Sequence, residues 1–303
     1  MISDQPLINN SREPNEGSFI RCYRYMCDYW RDAICNSRLK LSAASEFNDV
    51  FDCSGTCKGS FSESVIKNHI RDIQFIVPSS MNFAGYGGFI PTLKREYSVC
   101  VARSFLDKTL FALPQILCFA APETKDADSL MWSHYADKWK GVRLGFDLLF
   151  ENHLPVTYNT TSPYLLSRIV YSNKRPTLDL SRIEDITEDP LYGQYYYQML
   201  QTKSSAWSYE SEWRLFCDTK YSSENGGLRF WDFHRLLLRT IDLGPQIEQS
   251  EEKWIVDFAQ REYPHAEIRK IVMSDTDYDF SYRTIVLPQK EARAELAYQI
   301  QNL

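Results

Sequence analysis

Two glutamates, Glu210 and Glu212, stand two residues apart immediately before the alternating run Trp213-Arg214-Leu215-Phe216-Cys217. Successive side chains in a strand point to opposite faces, so the run predicts a β-strand and residues two apart share a face. Both carboxylates then project together from the opening of that strand, beside Trp207 and Tyr209. Like charges on one face repel unless a cation, a substrate or a raised pKa resolves the conflict. One resolution is a structural ion pair between Glu212 and Arg214 or another base; the other is a functional site.

The composition sets the class. A chain of 303 residues, 44% hydrophobic and 14% aromatic with 19 tyrosines, has ample material for a buried core. Its 34 basic and 40 acidic residues leave a net charge of −6, which argues against broad, phosphate-driven nucleic-acid binding and leaves only a local basic groove open. No apolar run approaches the roughly 20 residues that span a bilayer. The segment MISDQPLINNSREPNEG lacks the charged and apolar blocks of a secretion signal, so a cytoplasmic location without membrane partners is expected. Eight scattered cysteines are expected to be reduced thiols. Cys53 and Cys57 are spaced C-x3-C, but no second pair or adjacent histidine completes a metal site, and no metal is expected. Cys118 and Cys217, within apolar runs, read as small core residues.

The expected organisation is a polar arm over residues 1–17 and a single α+β domain over 18–303, with a mixed or antiparallel sheet core and several inserted helices. Strands are predicted over 19–26, 39–43, 115–121 and 142–147, the last with Val142, Leu144 and Phe146 on one face, and others near 156 and 170. Further strands are predicted over 228–233, 268–273 and 283–287. Helices are predicted from an Asp28 cap to Arg38, over 62–76, and from Pro91 to about 113. Others are expected from an Asp128 or Ser129 cap to the stop at Gly141, over 191–203, and over 251–262. A glycine-rich turn falls at 85–88.

Several segments, in this order, carry a family resemblance: Tyr23-Arg24-Tyr25; Phe47-Asn48-Asp49-x-Phe51-Asp52; Met131-Trp132-Ser133-His134-Tyr135-Ala136 with Lys140-Gly141; Gly145-Phe146-Asp147; Val156-x-Tyr158; and Lys203 with Trp207-x-Tyr209-Glu210-x-Glu212-Trp213-Arg214. Over roughly residues 20–290 the chain resembles a widespread bacterial family, domain of unknown function 2971. That resemblance brings no activity with it.

The layout is also similar to ADP-ribosyltransferases of the arginine-serine-glutamate type, in which an early arginine, a mid-chain serine and a later E-x-E form the site. The resemblance implies NAD as the substrate and an ADP-ribosyltransferase-like fold. It implies Glu212 beside the reacting ribose, Glu210 orienting the acceptor, and Arg24 and Ser133 in the arginine and serine places. Tyr23, Tyr25, Trp132 and Tyr135 are candidates to stack on the bases of NAD. His134 or Tyr135 would serve a histidine-tyrosine-glutamate variant, although the family order then differs. No Ser-Thr-Ser strand motif is present, and Ser133 falls on a predicted helix. The implied activity is ADP-ribosyl transfer to an unidentified protein or nucleic-acid acceptor, or NAD glycohydrolysis. Its setting would be a bacterial toxin or phage-defence effector with an antitoxin or defence-system partner.

Plainer roles stand beside these. Arg24 can stack between its tyrosines as a structural cation, Trp132 and Tyr135 can be core packing, and His134 can be a satisfied histidine. Asn48, Asp49 and Asp52 can form turns, and Lys203 can lie on a solvated helix face. Two alternatives to the transferase remain. One is a non-catalytic module whose Trp/Tyr-rich groove binds a ligand or protein. The other is a metal-dependent nuclease using Asp49, Asp52, Lys203, Glu210 and Glu212, although Arg214 occupies the place of the usual lysine.

Overall fold

Alternation like that of residues 213–217 recurs along the chain and, in a computed structural model describing residues 18–68, 98, 102, 115–150, 164–185, 189–217 and 222–289, it builds strands. They are β1 (Ser18–Met26), β2 (Arg38–Lys40), β3 (Thr56–Lys58), β4 (Gln115–Ala120), β5 (Val142–Phe150), β6 (Tyr164–Arg168), β7 (Val170–Ser172) and β8 (Thr177–Asp179). Then come β9 (Thr202–Ser204), β10 (Glu212–Cys217), β11 (Ser223–Asn225), β12 (Leu228–Asp232), β13 (Leu238–Leu243), β14 (Glu267–Met273) and β15 (Phe280–Val286). The described helices are α1 (Trp30–Asn36), α2 (Glu63–Asn68), α3 (Lys125–Tyr135), α4 (Pro190–Gln201) and α5 (Gln249–Glu262).

Eight strands form one sheet in the order β15-β14-β13-β5-β1-β4-β10-β6. Neighbours run antiparallel except β13 and β14, which are parallel and joined by α5. The chain is thus an α+β protein with a mixed, mostly antiparallel sheet. Val142, Leu144, Phe146 and Leu148 on one face of β5 are all fully buried, each contributing about 1.5–3 kcal/mol of hydrophobic stabilisation. They pack with Phe119, Leu215, Trp231 and Ile255 of α5. The residues that alternate with these point to the other face. There, Phe216 and Ile116 meet Tyr195, Tyr196 and Met199 of α4, and Tyr25 and Ala120 meet Met131 and Trp132 of α3.

The sheet is weakest at one seam. β1 and β5 match over nine register positions, whereas β1 meets β4 at Tyr23↔Ala120 alone. Further along β4, Ile116 bridges Ser42. Between those two contacts the Cys118 carbonyl accepts a hydrogen bond from Arg24 Nη1 at 2.7 Å. Strand separation here opens a cleft.

Several local expectations are corrected. Asp28 does not cap α1; Tyr29, in the left-handed region at φ 53°, precedes it, and Ser37 at φ 52° ends it before Arg38. Thr124, not Asp128 or Ser129, caps α3, its hydroxyl accepting from the Ala127 amide at 3.1 Å. Asp128 is drawn into the interior by other partners. α4 ends at Gln201, so residues 202–204 are strand and not helix. Strand β13 was not foreseen. The expectations over 1–17, 69–97, 103–113 and around 156 lie outside the described residues.

α3 ends at Tyr135, ahead of the stop expected at Gly141, and that glycine is needed for a steric reason. A Cβ there would lie 2.2 Å from the Met26 carbonyl oxygen and 2.9 Å from Ala136 backbone atoms. Gly193, within α4, has nothing within 4 Å of such an atom. Gly141→Ala is therefore expected to lower stability by about 1–3 kcal/mol, as overpacking does. Gly193→Ala should raise it by about 0.5–1 kcal/mol through helix propensity. Urea unfolding of the two variants checks both signs.

Candidate functional site

After α4 the chain enters β9, which pairs in parallel with β7 so that Lys203 lies opposite Tyr171. A 3-10 turn over Ser205–Glu210 follows, ending at Ser211 with φ 44° before β10 begins at Glu212. Glu210 therefore closes a turn and does not open the strand. The left-handed Ser211, and not strand alternation, brings the two acids to one place.

That place is buried. Lys203 Nζ lies 2.5 Å from Glu210 Oε2, 2.7 Å from Glu212 Oε2 and 3.7 Å from Asp52 Oδ2. Arg214 Nε lies 2.6 Å from Glu212 Oε1, and its Nη2 reaches both Asp52 oxygens at 2.7 and 2.8 Å. Its Nη1 donates to the Leu200 carbonyl at 2.7 Å, and the guanidinium stacks over Phe47 at 5.1 Å. The Tyr135 hydroxyl donates to Glu210 Oε1 at 2.6 Å, while the Glu212 amide donates to the Tyr171 hydroxyl at 2.8 Å. Lys203 is only 8% exposed, so the solvated helix face expected for it is overturned. Its two carboxylate partners outweigh the cost of burying the ammonium.

The cluster resolves the conflict between the two acids unequally. Burial pushes the Glu212 carboxyl up, but Arg214 and Lys203 together outweigh it and hold the pKa down at about 2. For Glu210, burial prevails over Lys203 and the Tyr135 hydrogen bond, and the pKa is raised. Burial lowers the Lys203 pKa, yet Glu212 and Glu210 bring it above the ordinary lysine value. Three carboxylates (Asp52, Glu210, Glu212) face two cations (Lys203, Arg214).

The cluster borders the cleft at the β1/β4 seam, whose volume is about 500 Å³. Of the residues singled out in the sequence, Tyr23, Arg24 and Tyr25 line it from β1 and His134 and Tyr135 from α3. Glu210 and Glu212 line it beside Lys203 and Asp52. Trp132 and Ser133 do not. At 3.6 residues per turn, Met131, His134 and Tyr135 share one helix face and residues 132 and 133 turn away. Trp132 is fully buried, donating from Nε1 to the Tyr282 hydroxyl at 2.9 Å. Ser133 Oγ donates to the Ser129 carbonyl and accepts from Trp139 Nε1, both at 2.9 Å. These bonds anchor three consecutive left-handed residues, Asp137, Lys138 and Trp139, at φ 45°, 52° and 72°.

Arg24 is not stacked between its tyrosine neighbours; the cation against their rings is Arg143. Its guanidinium lies 4.1 Å from the Tyr23 ring centroid and 4.4 Å from that of Tyr282. Arg143 bonds Asp242 at 2.7 Å and Asp128 at 3.0 Å, and Asp128 also accepts from the Tyr25 hydroxyl at 2.5 Å. The sequence reading missed this network. Its one signal is the charged Arg143 between the apolar residues Val142 and Leu144. Gly145 belongs to it, since a Cβ there would lie 2.3 Å from Thr240 Oγ1 and 3.0 Å from the Tyr23 ring.

Asp49 and Asp52 do form turns, Asp49 Oδ1 accepting the Phe51 amide at 2.9 Å and Asp52 Oδ1 the Cys53 amide at 2.8 Å. Asp49 Oδ2 also accepts from Trp207 Nε1 at 2.8 Å. No group of three or more His, Cys, Asp or Glu among the described residues is arranged to hold a metal ion. Asp52, Glu210 and Glu212 each turn to a side-chain cation instead. Among the described residues no helix is long and apolar enough to cross a membrane.

The model of the family described as Protein of unknown function (DUF2971) matches residues 131–215, a segment running from α3 to the cluster. No curated protein and no solved structure matches the chain.

Glu212→Gln leaves Arg214 and Lys203 short of a partner and is expected to cost about 3–5 kcal/mol, the cost of breaking a buried ion pair. A carboxyl with a depressed folded pKa stabilises above its ordinary value and loses that contribution as pH falls through the folded value. The gap between wild type and Glu212→Gln should therefore be full at pH 7 and shrink between about 4.5 and about 2. Urea midpoints across that range check it.

Proposed function

We propose that the cleft binds NAD and that Glu210 promotes cleavage of its nicotinamide–ribose bond, for ADP-ribosyl transfer or for hydrolysis. The observation that carries this reading is the charge imbalance of the cluster: three carboxylates against two cations, buried at the wall of an open cleft. Breaking that bond develops positive charge on the ribose, through an oxocarbenium-like state as in glycoside cleavage. A fixed negative charge in a desolvated site stabilises it.

Of the two glutamates, Glu210 suits the role better. Both oxygens of Glu212 are occupied by Arg214 and Lys203, whereas Glu210 Oε1 is held by a tyrosine hydroxyl that a ribose hydroxyl can replace. This exchanges the roles that the E-x-E resemblance implies. Arg24 Nη1 is committed to the Cys118 carbonyl, but Nε and Nη2 have no hydrogen-bond partner among the described residues. They offer a fork to a pyrophosphate. Tyr23 and His134 present rings to the cleft, whose volume falls within the range of small-molecule sites. In the reaction the C1′–N bond breaks and nicotinamide leaves with the bonding electrons. A nucleophile on the acceptor, or water, bonds to C1′ and gives up its proton, for which Glu210 is the nearby base. A toxin or phage-defence role is the setting this chemistry implies.

The tight pairing of Glu212 favours a second reading, in which the cluster only braces a non-catalytic binding cleft. Nicotinamide release from NAD separates the two. The enzyme reading expects release that falls by about 100-fold or more in Glu210→Gln, the scale of losing one electrostatic stabiliser. That variant should melt no lower than wild type, since it removes the surplus negative charge. Arg24→Lys should raise KM. An NAD pool left intact by folded wild type in cell lysate would leave the binding module standing.

A further inference from the structure

We infer that Lys203 is the positioning residue of the cleft: its ammonium group holds Glu210 in place, and ionised, against the pull of burial. This rests on the role given to Glu210 above. Of the two cations in the cluster, Arg214 is fully buried and does not line the cleft, being committed to Asp52, Glu212 and the Leu200 carbonyl. Lys203 does line it.

The local chain is built to aim this ammonium. β9 is three residues long and is fixed by its pairing with β7, where Tyr171 stands opposite Lys203 and accepts the Glu212 amide through its hydroxyl. Seven residues later the 3-10 turn delivers Glu210 back to Nζ at 2.5 Å, and Trp207 on that turn lies under the ammonium at 5.4 Å. An ammonium carries three protons. Two go to Glu210 and Glu212, and Asp52 at 3.7 Å lies beyond hydrogen-bond distance. The third is left for an oxygen of a bound ligand.

The groups facing Glu210 make Lys203 decisive. Tyr135 from α3 donates a hydrogen bond, while Glu212 and Asp52 oppose its charge and Arg214 spends its own charge on those two. Tyr171 and Tyr209 are neutral neighbours whose own pKa values are raised, first by burial and then by the nearby acids. Lys203 is the one cation in contact with Glu210 among the described residues. The raised Glu210 pKa, with burial as its largest cause, shows how little margin this contact leaves.

Two readouts test the assignment. The first is the infrared C=O band of protonated Glu210, identified by its loss in Glu210→Gln, followed against pH. In Lys203→Met, or in Lys203→Gln should the first not fold, the midpoint should rise by about one unit or more, equal to a tenfold fall in the ratio of ionised to protonated Glu210 at a given pH. Lys203→Arg keeps the charge, so its midpoint should stay near that of wild type. The second is the pH profile of NAD cleavage. Its acidic limb should move upward with the band, so that activity lost on that limb is recovered at higher pH. A midpoint unchanged by removal of the charge, with activity lowered equally at every pH, would reduce Lys203 to a structural ion-pair partner. Should wild type cleave no NAD, the proposed reaction fails, yet the infrared midpoint still decides whether Lys203 governs Glu210.

Discussion

Charges taken out of water hold together or not at all, and the cluster of Asp52, Lys203, Glu210, Glu212 and Arg214 is where this chain meets that constraint. The cost of burying an ion runs to several kcal/mol, recovered only with good geometry and a full set of partners. Most of those partners lie between Leu200 and Arg214, and Asp52 joins them from 162 residues before Arg214. Asp52 lies in the connection between β2 and β3, Lys203 in a three-residue strand, Leu200 at the end of a helix, and the rest on the following turn and strand. Glu212 and Arg214 pair within one strand, but Asp52 must arrive from the distant loop before both cations have their full set of partners, which makes the cluster a condition of the fold as well as a wall of the cleft.

A second buried network repeats the arrangement across the seam. Arg143, Arg269, Asp128 and Asp242 balance in number, two against two, and the hydroxyls of Tyr25 and Tyr282 complete the hydrogen bonding. This network fixes α3 to β1, β5, β13 and β15, and it sets the ring of Tyr23 at the cleft. One side of the cleft is thus backed by a neutral network and the other by a cluster with a carboxylate in excess. That contrast gives the cleft an electrical direction.

Much of the frame was legible in the sequence because alternation and capping are local signals. The faces of β5 and β10 and the approximate span of α5 follow from residue order alone. The convergence of Arg24, Tyr135 and Glu210 on one cleft was legible only through a joint pattern of motifs, since nothing in a single segment says what lies opposite it. Lys203 shows the limit. Its neighbours suit the end of a helix, and only the tertiary placement of Glu210 and Glu212 explains a buried ammonium. Trp132 and Ser133 mislead in the opposite sense: they stand in the same motif as His134 and Tyr135, yet helical geometry turns them away from the cleft, Trp132 into the interior and Ser133 against Trp139 at the left-handed turn. Asp128 resembles a helix cap by position and serves as a buried counter-ion by contact, a role that depends on Arg143 fifteen residues later.

The meeting of Tyr23 with Ala120, with Arg24 reaching across to a lone carbonyl, gives the sheet a crease. Each half is stiffened by its own ladders, and the twist carried along those strands bears on the angle at which the halves meet at the crease. A molecule seated in the crease touches both halves and so measures that angle. Under the proposed function, selectivity is partly a property of the frame: a substitution on a remote strand can retune what fits by a slight change of pitch, with every side chain around the ligand left as it was.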